Sequence, residues 1–153
     1  MTRGRVVAIA LIVLLPVLHF ASGRAEAACT ISTTPVNFGN YNVLNPTATD
    51  STGRVTITCG TDSNVAIQLG TGVSGTYFSR EMRSGPERLF YNLYRNAART
   101  IIWGDGTSGT QQVIIANPPN FSPRNVTVYG RIPALQDVAV GAYADTVVAT
   151  VIF

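Results

Sequence analysis

Apolar residues recur at every second position of this chain in short runs, and Gly, Pro, Asn or Asp separates one run from the next. Val36 and Phe38 alternate ahead of Gly39-Asn40. Val55, Ile57 and Cys59 fall on one face, with Thr56 and Thr58 on the other. Val65, Ile67 and Leu69 repeat the pattern, and Leu89, Tyr91 and Leu93 alternate with Phe90, Asn92 and Tyr94. Shorter apolar runs follow at 101–103 and 113–116; then Val126, Val128 and Gly130 alternate with Thr127, Tyr129 and Arg131. Residues 146–153 are nearly all β-branched or aromatic. A two-residue period sends neighbouring side chains to opposite faces, the signature of half-buried strands. No stretch of about 10–12 residues carries a capped helical period. The chain is therefore expected to be all-β, a sandwich or barrel of short strands. Two stretches are expected to be loops. The polar segment 42–53, with Pro46, would cross between sheets, and segment 70–86 has room for a helical turn.

The N-terminus sets the compartment. Arg3 and Arg5 precede an apolar run over 6–20 that is broken by Pro16 and His19, and Ala25-Glu26-Ala27 follows. A basic start, a short apolar run and an A-x-A site make residues 1–27 a signal peptide. The run falls short of the ~20 apolar residues that span a bilayer. Cleavage is expected after Ala27 or Ala28, which leaves one domain over 28–153. A lipoprotein signal would also put a cysteine after the cut, but it wants a large aliphatic residue where Glu26 stands and would leave Cys59 without a partner. Two cysteines in an exported chain read as a disulfide, Cys29 to Cys59. Closing that loop would stabilise the fold by roughly 3–4 kcal/mol on the chain-entropy account.

Removing the leader also changes the charge. The whole chain holds eleven basic and eight acidic residues. The leader takes Arg3, Arg5 and Arg24 against Glu26, so eight arginines face seven acids in the exported part. A net charge near +1 gives no electrostatic case for nucleic acid as a partner. The one histidine, His19, lies in the leader. Its removal excludes Ser-His-Asp and Cys-His catalysis and the common zinc sites. Asp50, Asp62, Asp105, Asp137 and Asp145 sit in turn-like contexts, and no two form an evident acid–base couple. The chain is read as no enzyme, with no catalytic residues, cofactor or metal.

Several local motifs have bland readings. Gly70-Thr71-Gly72-Val73-Ser74-Gly75 matches a dinucleotide fingerprint, but no capped helix follows to receive a pyrophosphate, so a glycine loop is expected. Trp103-Gly104-Asp105-Gly106 holds one acid, too few oxygens for calcium, and reads as a hairpin turn. Arg80, Arg83, Arg88, Arg95 and Arg99 are interspersed with Tyr77, Phe78, Tyr91 and Tyr94; a solvated strand face is favoured over an interaction surface. Asn120-Phe121-Ser122 and Asn125-Val126-Thr127 are glycosylation sequons that otherwise mark a polar loop around Pro118, Pro119 and Pro123.

The C-terminal end bears on strand pairing. Gly141-Ala142-Tyr143 enters a final strand that runs to Phe153. An immunoglobulin-like sandwich normally places one more strand after such a corner. In one reading the sandwich is incomplete, lacking its last strand. Val147, Ala149, Val151 and Phe153 would then border an apolar acceptor groove with an unpaired edge, a place for another chain's strand. In the other, an ordinary sandwich has this strand at its edge. The residues alone leave both open.

Taken together, the motifs resemble the spore coat protein U family, which includes the subunits of archaic chaperone–usher pili. The likeness is carried by Cys29 with Val36-Asn37-Phe38-Gly39-Asn40-Tyr41, and by Val55-Thr56-Ile57-Thr58-Cys59. It continues in Met82, in Leu89-Phe90-Tyr91-Asn92-Leu93-Tyr94 and in Trp103-Gly104-Asp105-Gly106. It closes on Val128-Tyr129-Gly130-Arg131-Ile132-Pro133, Gln136 and Gly141-Ala142-Tyr143-Ala144-Asp145-Thr146. The resemblance implies an incomplete immunoglobulin-like sandwich with a Cys29–Cys59 bridge. It implies a periplasmic chaperone that lends the missing strand, an outer-membrane usher, neighbouring pilus subunits that supply a donor strand, and a place in a surface fibre or spore coat. It implies no catalytic residues. A self-contained secreted binding module, for carbohydrate for instance, is the alternative of another class.

One departure narrows the reading. Fibre-forming relatives carry an N-terminal extension that fills a neighbour's groove, whereas cleavage here would leave at most one residue before Cys29. Such a chain could receive a strand and hardly give one, which places it at a fibre tip or end or outside a donor-strand polymer. Mass spectrometry of the exported protein is expected to find Ala28 or Cys29 at its N-terminus. Ten or more residues ahead of Cys29 would restore a donor role.

Overall fold

The computed structural model describes residues 29–60, 64–118 and 121–152. Within them the alternation becomes antiparallel strands: β1 (Cys29–Thr34), β2 (Thr49–Cys59), β3 (Val65–Leu69), β4 (Arg80–Ser84), β5 (Glu87–Tyr94), β6 (Val113–Ile115), β7 (Arg124–Ile132) and β8 (Ala149–Ile152). No α-helix occurs among the described residues; the helical turn expected within 70–86 is one 3-10 turn, Gly72–Ser74. The proposed leader 1–27, Asp62, Asn120 and Phe153 lie outside the described residues.

The strands form two sheets, one of order β1-β2-β7-β5-β4 and one of order β6-β3-β8. Their facing sides make the core of an all-β, immunoglobulin-like sandwich. Val55, Ile57 and Cys59 of β2, Leu89, Tyr91 and Leu93 of β5 and Val128 and Ile132 of β7 are buried against Val65, Ile67 and Leu69 of β3. These are the alternating residues of the sequence, turned inward as a two-residue period requires. β1 and β2 run in register from Cys29 opposite Cys59 to Thr34 opposite Arg54, and the two cysteines are bonded.

At one corner the two sheets are stitched together. Trp103 donates its backbone N–H to Leu93 of β5 (3.0 Å), and Leu69 of β3 donates to the Gly104 carbonyl (3.3 Å). The Trp103 ring is fully buried and its Nε1 donates to Ile67 (2.9 Å). Arg80 completes the corner. Its side chain is also fully buried, with Nε and Nη2 donating to the Gly70 carbonyl (3.0 and 2.7 Å) and Nη2 to that of Trp103 (2.8 Å). Nη1 donates to Asn92 Oδ1 (2.7 Å), and the guanidinium lies 5.4 Å from the centre of the Tyr77 ring. Burial pulls the Arg80 pKa below its usual value, an effect that neighbouring Tyr91, Tyr77 and Asp145 oppose. A delocalised fork of donors suits this place, where carbonyls from several segments converge.

The chain between β1 and β2 packs inside the sandwich. At Gly53 a Cβ would stand 2.7 Å from the Thr34 carbonyl oxygen, and at Gly130 one would stand 2.7 Å from both Val36 and Phe38. The two bare backbones form a trough that takes Val36 and Phe38, and the Phe38 ring meets Tyr91 edge-on at 6.0 Å. A glycine inside an alternating strand marks such a close approach.

Four local expectations need correction. Segment 42–53 was expected to be loop throughout, but β2 begins at Thr49, because Thr49 to Gly53 find ladder partners on β7 from Ile132 to Val128. Segment 70–86 contains β4, which pairs with β5 through Arg80–Tyr91 to Ser84–Glu87 and turns through Gly85. Arg80 does not belong to a solvated face; it is a core group. Val36 and Phe38 alternate as expected but join no ladder. Their partners are glycines across the core rather than a neighbouring strand.

Two substitutions test this core. Arg80→Ala is expected to leave the Gly70 and Trp103 carbonyls without its donors and Asn92 Oδ1 with the Leu93 N–H alone, and to cost on the order of 3 kcal/mol in urea unfolding. Gly130→Ala is expected to push Val36 and Phe38 off their positions at a cost of about 1–3 kcal/mol. A loss below about 0.5 kcal/mol in either case would contradict the packing described.

Candidate functional site: an open groove between the sheets

The stitched corner has an unstitched counterpart. Hydrogen bonds run without a break from β1 through β2, β7 and β5, across Trp103 and Gly104, to β3 and β8. They stop there. Among the described residues β8 pairs with β3 alone and β1 with β2 alone, so both strands turn a free edge toward the same opening. A curled sheet of this kind resembles a barrel with one stave absent.

The opening is a groove. Its first part, about 290 Å³, has Thr33 to Val36 and Phe38 on one wall and Asp145 to Val147 with Ala149 on the other. Val55, Leu69, Met82, Tyr91, Leu93 and Val128 form its floor. It continues into a wider recess of about 740 Å³ between 35–43 and 138–145, floored by Met82, Leu89 and Ile132. Pro35, Val36, Phe38, Met82 and Asp145 border both parts, which makes them one continuous slot. Exposed apolar surface of this kind, flanked by unpaired strand edges, is what a folded protein normally covers.

The groove walls are held by polar joints at their ends. Asp145 fixes the β8 side. Its Oδ1 accepts from the backbone N–H groups of Val73 (2.9 Å) and Thr146 (2.7 Å), and its Oδ2 accepts from the Tyr91 hydroxyl (2.6 Å). Burial, reinforced by the Asp145 carboxylate, pushes the Tyr91 pKa well up, so the phenol stays a donor. Ala144 exchanges backbone hydrogen bonds with Arg83 on the outer edge of β4 (2.9 and 3.1 Å). At the other end Tyr41 donates to the Pro133 carbonyl (2.9 Å) and accepts from Gln136 N–H (2.8 Å). The Gln136 amide then imitates a strand: it accepts from Phe90 N–H and donates to Phe90 O, each at 2.8 Å.

Of the residues expected to border a groove, Val147 and Ala149 line it. Val151 stands opposite Ile67 and packs against the core beyond the groove, and Phe153 lies outside the described residues. Cys29 and Cys59 lie at the far end of β1 and β2 and close the fold there. Alternation alone did not indicate that Val36, Phe38, Met82 and Asp145 border the opening. The available signal was Gly53 and Gly130, bare positions within strands that otherwise alternate.

The acids near the groove are engaged in structural bonds. Asp145 is engaged by three donors, and no cluster of three His, Cys, Asp or Glu suited to a metal occurs among the described residues. Asp105 is likewise used locally. Its carboxylate accepts from the Thr107 hydroxyl (2.7 Å) and N–H (2.9 Å), bonds that draw its pKa down and close the 104–110 turn. The glycine stretch 70–75 leads into a 3-10 turn with no following helix.

Comparison with known proteins agrees with this architecture. A sequence model described as the Spore Coat Protein U domain matches residues 18–150. Protein U of Myxococcus xanthus is 35% identical over 134 residues, covering 77% of this chain and 71% of that protein. Among solved structures, the fold is similar to a chain in the CsuC–CsuE chaperone–tip adhesion subunit pre-assembly complex, from archaic chaperone–usher Csu pili of Acinetobacter baumannii. The TM-score is 0.60 at 24% identity, over 83% of this chain. This chain spans 40% of the length of that one. A looser likeness, TM-score 0.43 at 18% identity, is to the E. coli Hda pilus minor tip subunit HdaB, over 80% of this chain and 79% of that one. With the domain matched over most of its length and Protein U at this identity, the chain belongs to the Spore Coat Protein U domain family.

Proposed function

We propose that this protein is an exported structural or adhesive subunit of a surface fibre or coat, completed by a β-strand from another chain. The observation that carries the reading is the pair of free strand edges on β1 and β8, facing each other across one apolar slot. An extended segment entering there would pair with both edges and bury alternate side chains against Val55, Leu69, Leu93 and Val128. Main-chain bonds would supply affinity and the floor would select side chains. The acceptor wall would be Val147 and Ala149, with Val151 and Phe153 further along the same strand.

A chain with an open apolar groove would need an escort. The family and the fold likeness support a periplasmic chaperone as the first strand donor, an outer-membrane usher as the assembly platform and a neighbouring subunit as the final donor. Localisation follows: periplasm in transit, then the cell surface or an extracellular fibre. A tip or terminal position in the fibre is the place we assign it. The role is structural and non-enzymatic.

The test is export of the full chain with its own leader, with and without a synthetic peptide of alternating apolar residues. Alone, the protein is expected to self-associate or to melt early. Peptide at a hundredfold excess over its dissociation constant is expected to stabilise it by about 2.7 kcal/mol. Ala149→Asp, which sets a charge on the groove wall, is expected to abolish that stabilisation. A monomer that is stable alone and indifferent to every such peptide would point instead to a self-contained binding module.

A further inference from the structure

The groove uses one side of the large sheet and leaves the other unexplained. The period that turns Val55, Tyr91 and Val128 inward turns Arg54, Arg88 and Arg131 outward. Arg83 joins that outer face, opposite Arg88 on β4. Arg99 joins it by laying its guanidinium 5.7 Å from the centre of the Tyr129 ring. Two acids lie among these five arginines, and each is shared by two of them. Asp50 binds Arg131 through two bonds (2.7 and 2.8 Å) and Arg99 at 3.1 Å. Glu81 binds Arg83, and more loosely Arg88 at 3.5 Å.

The Glu81 carboxylate lies beneath its two cations, whereas Asp50 is about as exposed as Arg131 and stands level with it. The Glu81 side chain is 4% exposed, whereas Arg83 and Arg88 are 43% and 56% exposed. Each two-to-one cluster therefore turns one uncompensated positive charge to solvent, and Arg54 adds another. The other described acids lie elsewhere: Asp105 in its turn, Asp145 in the groove, and Glu87 and Asp137 near the 133–141 segment. So a chain of modest net charge, +3 over its whole length, gathers positive charge on one sheet face. Along β1 and β2 the same face carries hydroxyls in register, Thr30 opposite Thr58 and Ser32 opposite Thr56.

We propose that this outer face docks an acidic polysaccharide, a polymer whose carboxylates meet the arginines and whose hydroxyls meet the threonines. Guanidinium groups recognise planar carboxylates with paired bonds, and a row of them suits a repeating anion. A bilayer fits less well, since an apolar wedge is needed to enter it and Phe90 is the large apolar side chain this face offers. Single-stranded nucleic acid needs a series of open aromatic platforms, and on this face Tyr129 is covered by Arg99 and Tyr94 is half-buried, which leaves Phe90 as a single open ring. Arg83, Arg88, Arg99 and Arg131 lie on the opposite side of the sheet from the groove, while Arg54, opposite Thr34, also borders its rim, so docking depends mainly on arginines that a strand in the groove does not reach.

The experiment uses the full chain exported with its own leader and purified with whatever occupies its groove. Binding is measured to immobilised polygalacturonate, to neutral dextran and to phosphatidylglycerol vesicles, at low and high salt. Polygalacturonate is expected to retain the protein in a salt-sensitive way, and dextran and the vesicles to release it. Arg54→Gln with Arg88→Gln removes two exposed charges and leaves Glu81 with Arg83, so circular dichroism should be unchanged. Its dissociation constant for polygalacturonate is expected to rise on the order of tenfold. Arg54→Glu with Arg88→Glu is expected to abolish retention. Retention on dextran equal to that on polygalacturonate, preference for the vesicles, no retention at all, or an unaltered double variant would each overturn the proposal.

Discussion

The structure depends on how its two sheets are joined at one corner and left apart at the other. Trp103 and Gly104 carry the hydrogen-bond ladder from β5 to β3, and Arg80 ties both to Gly70 from within. Burying a cation without a carboxylate partner is costly unless its donors are occupied, and here Nε, Nη1 and Nη2 all find acceptors. The reward is a rigid corner. A sheet fixed at one corner holds its remaining edges at a set separation, so the opening between β1 and β8 is a shaped slot. The same strands without that corner would leave two sheets free to slide and a groove of no fixed width.

Segment 34–38 shows how the fold keeps the slot open and still has a core. With no strand between β1 and β8, the floor formed by β2 and β7 would lie bare along much of its length. Val36 and Phe38 cover part of it from inside, seated on Gly53 and Gly130. Their burial uses apolar side chains without a ladder, so their backbone closes neither free edge. The groove is thus narrowed rather than filled. Asp145 and Gln136 serve the same end at the opposite wall and at the far end, where they replace missing strand partners with side-chain bonds.

Much of this architecture was legible in the chain, and the limits were physical. The inward faces of β2, β3, β5 and β7 follow from alternation, since large β-branched and aromatic residues at every second place have one way to hide together. The strand β4 was not legible, because Arg80-Glu81-Met82-Arg83 shows charge where a core strand usually shows carbon. Arg80 reads as a surface residue unless one knows that carbonyls 10 and 23 positions away converge on it. Val36 and Phe38 were recognised as alternating, but a sequence does not reveal whether such residues face a ladder or a pair of glycines. Period puts Val147 and Ala149 on one face of the last strand but leaves open whether that face borders a groove, and the bond between Tyr91 and Asp145, which spans 54 residues, depends on the finished fold.

The two-residue period also explains how one sheet can carry two surfaces of opposite character. β2 and β5 give their odd positions to the groove floor or core and β7 gives its even ones, and the alternate positions of each strand face outside, apart from the buried Asn92. On β7 the order is Val128 inward, Tyr129 outward, Gly130 inward, Arg131 outward, which cannot be arranged any other way without a bulge. Gly130 is small because Phe38 presses on it from within, while its neighbour Arg131 is long because Asp50 waits across the outer face. The two demands act on adjacent residues and do not compete, since the sheet itself separates them. A strand entering the groove would change what touches Val128 and leave the position of Arg131 to its own ladder and to Asp50.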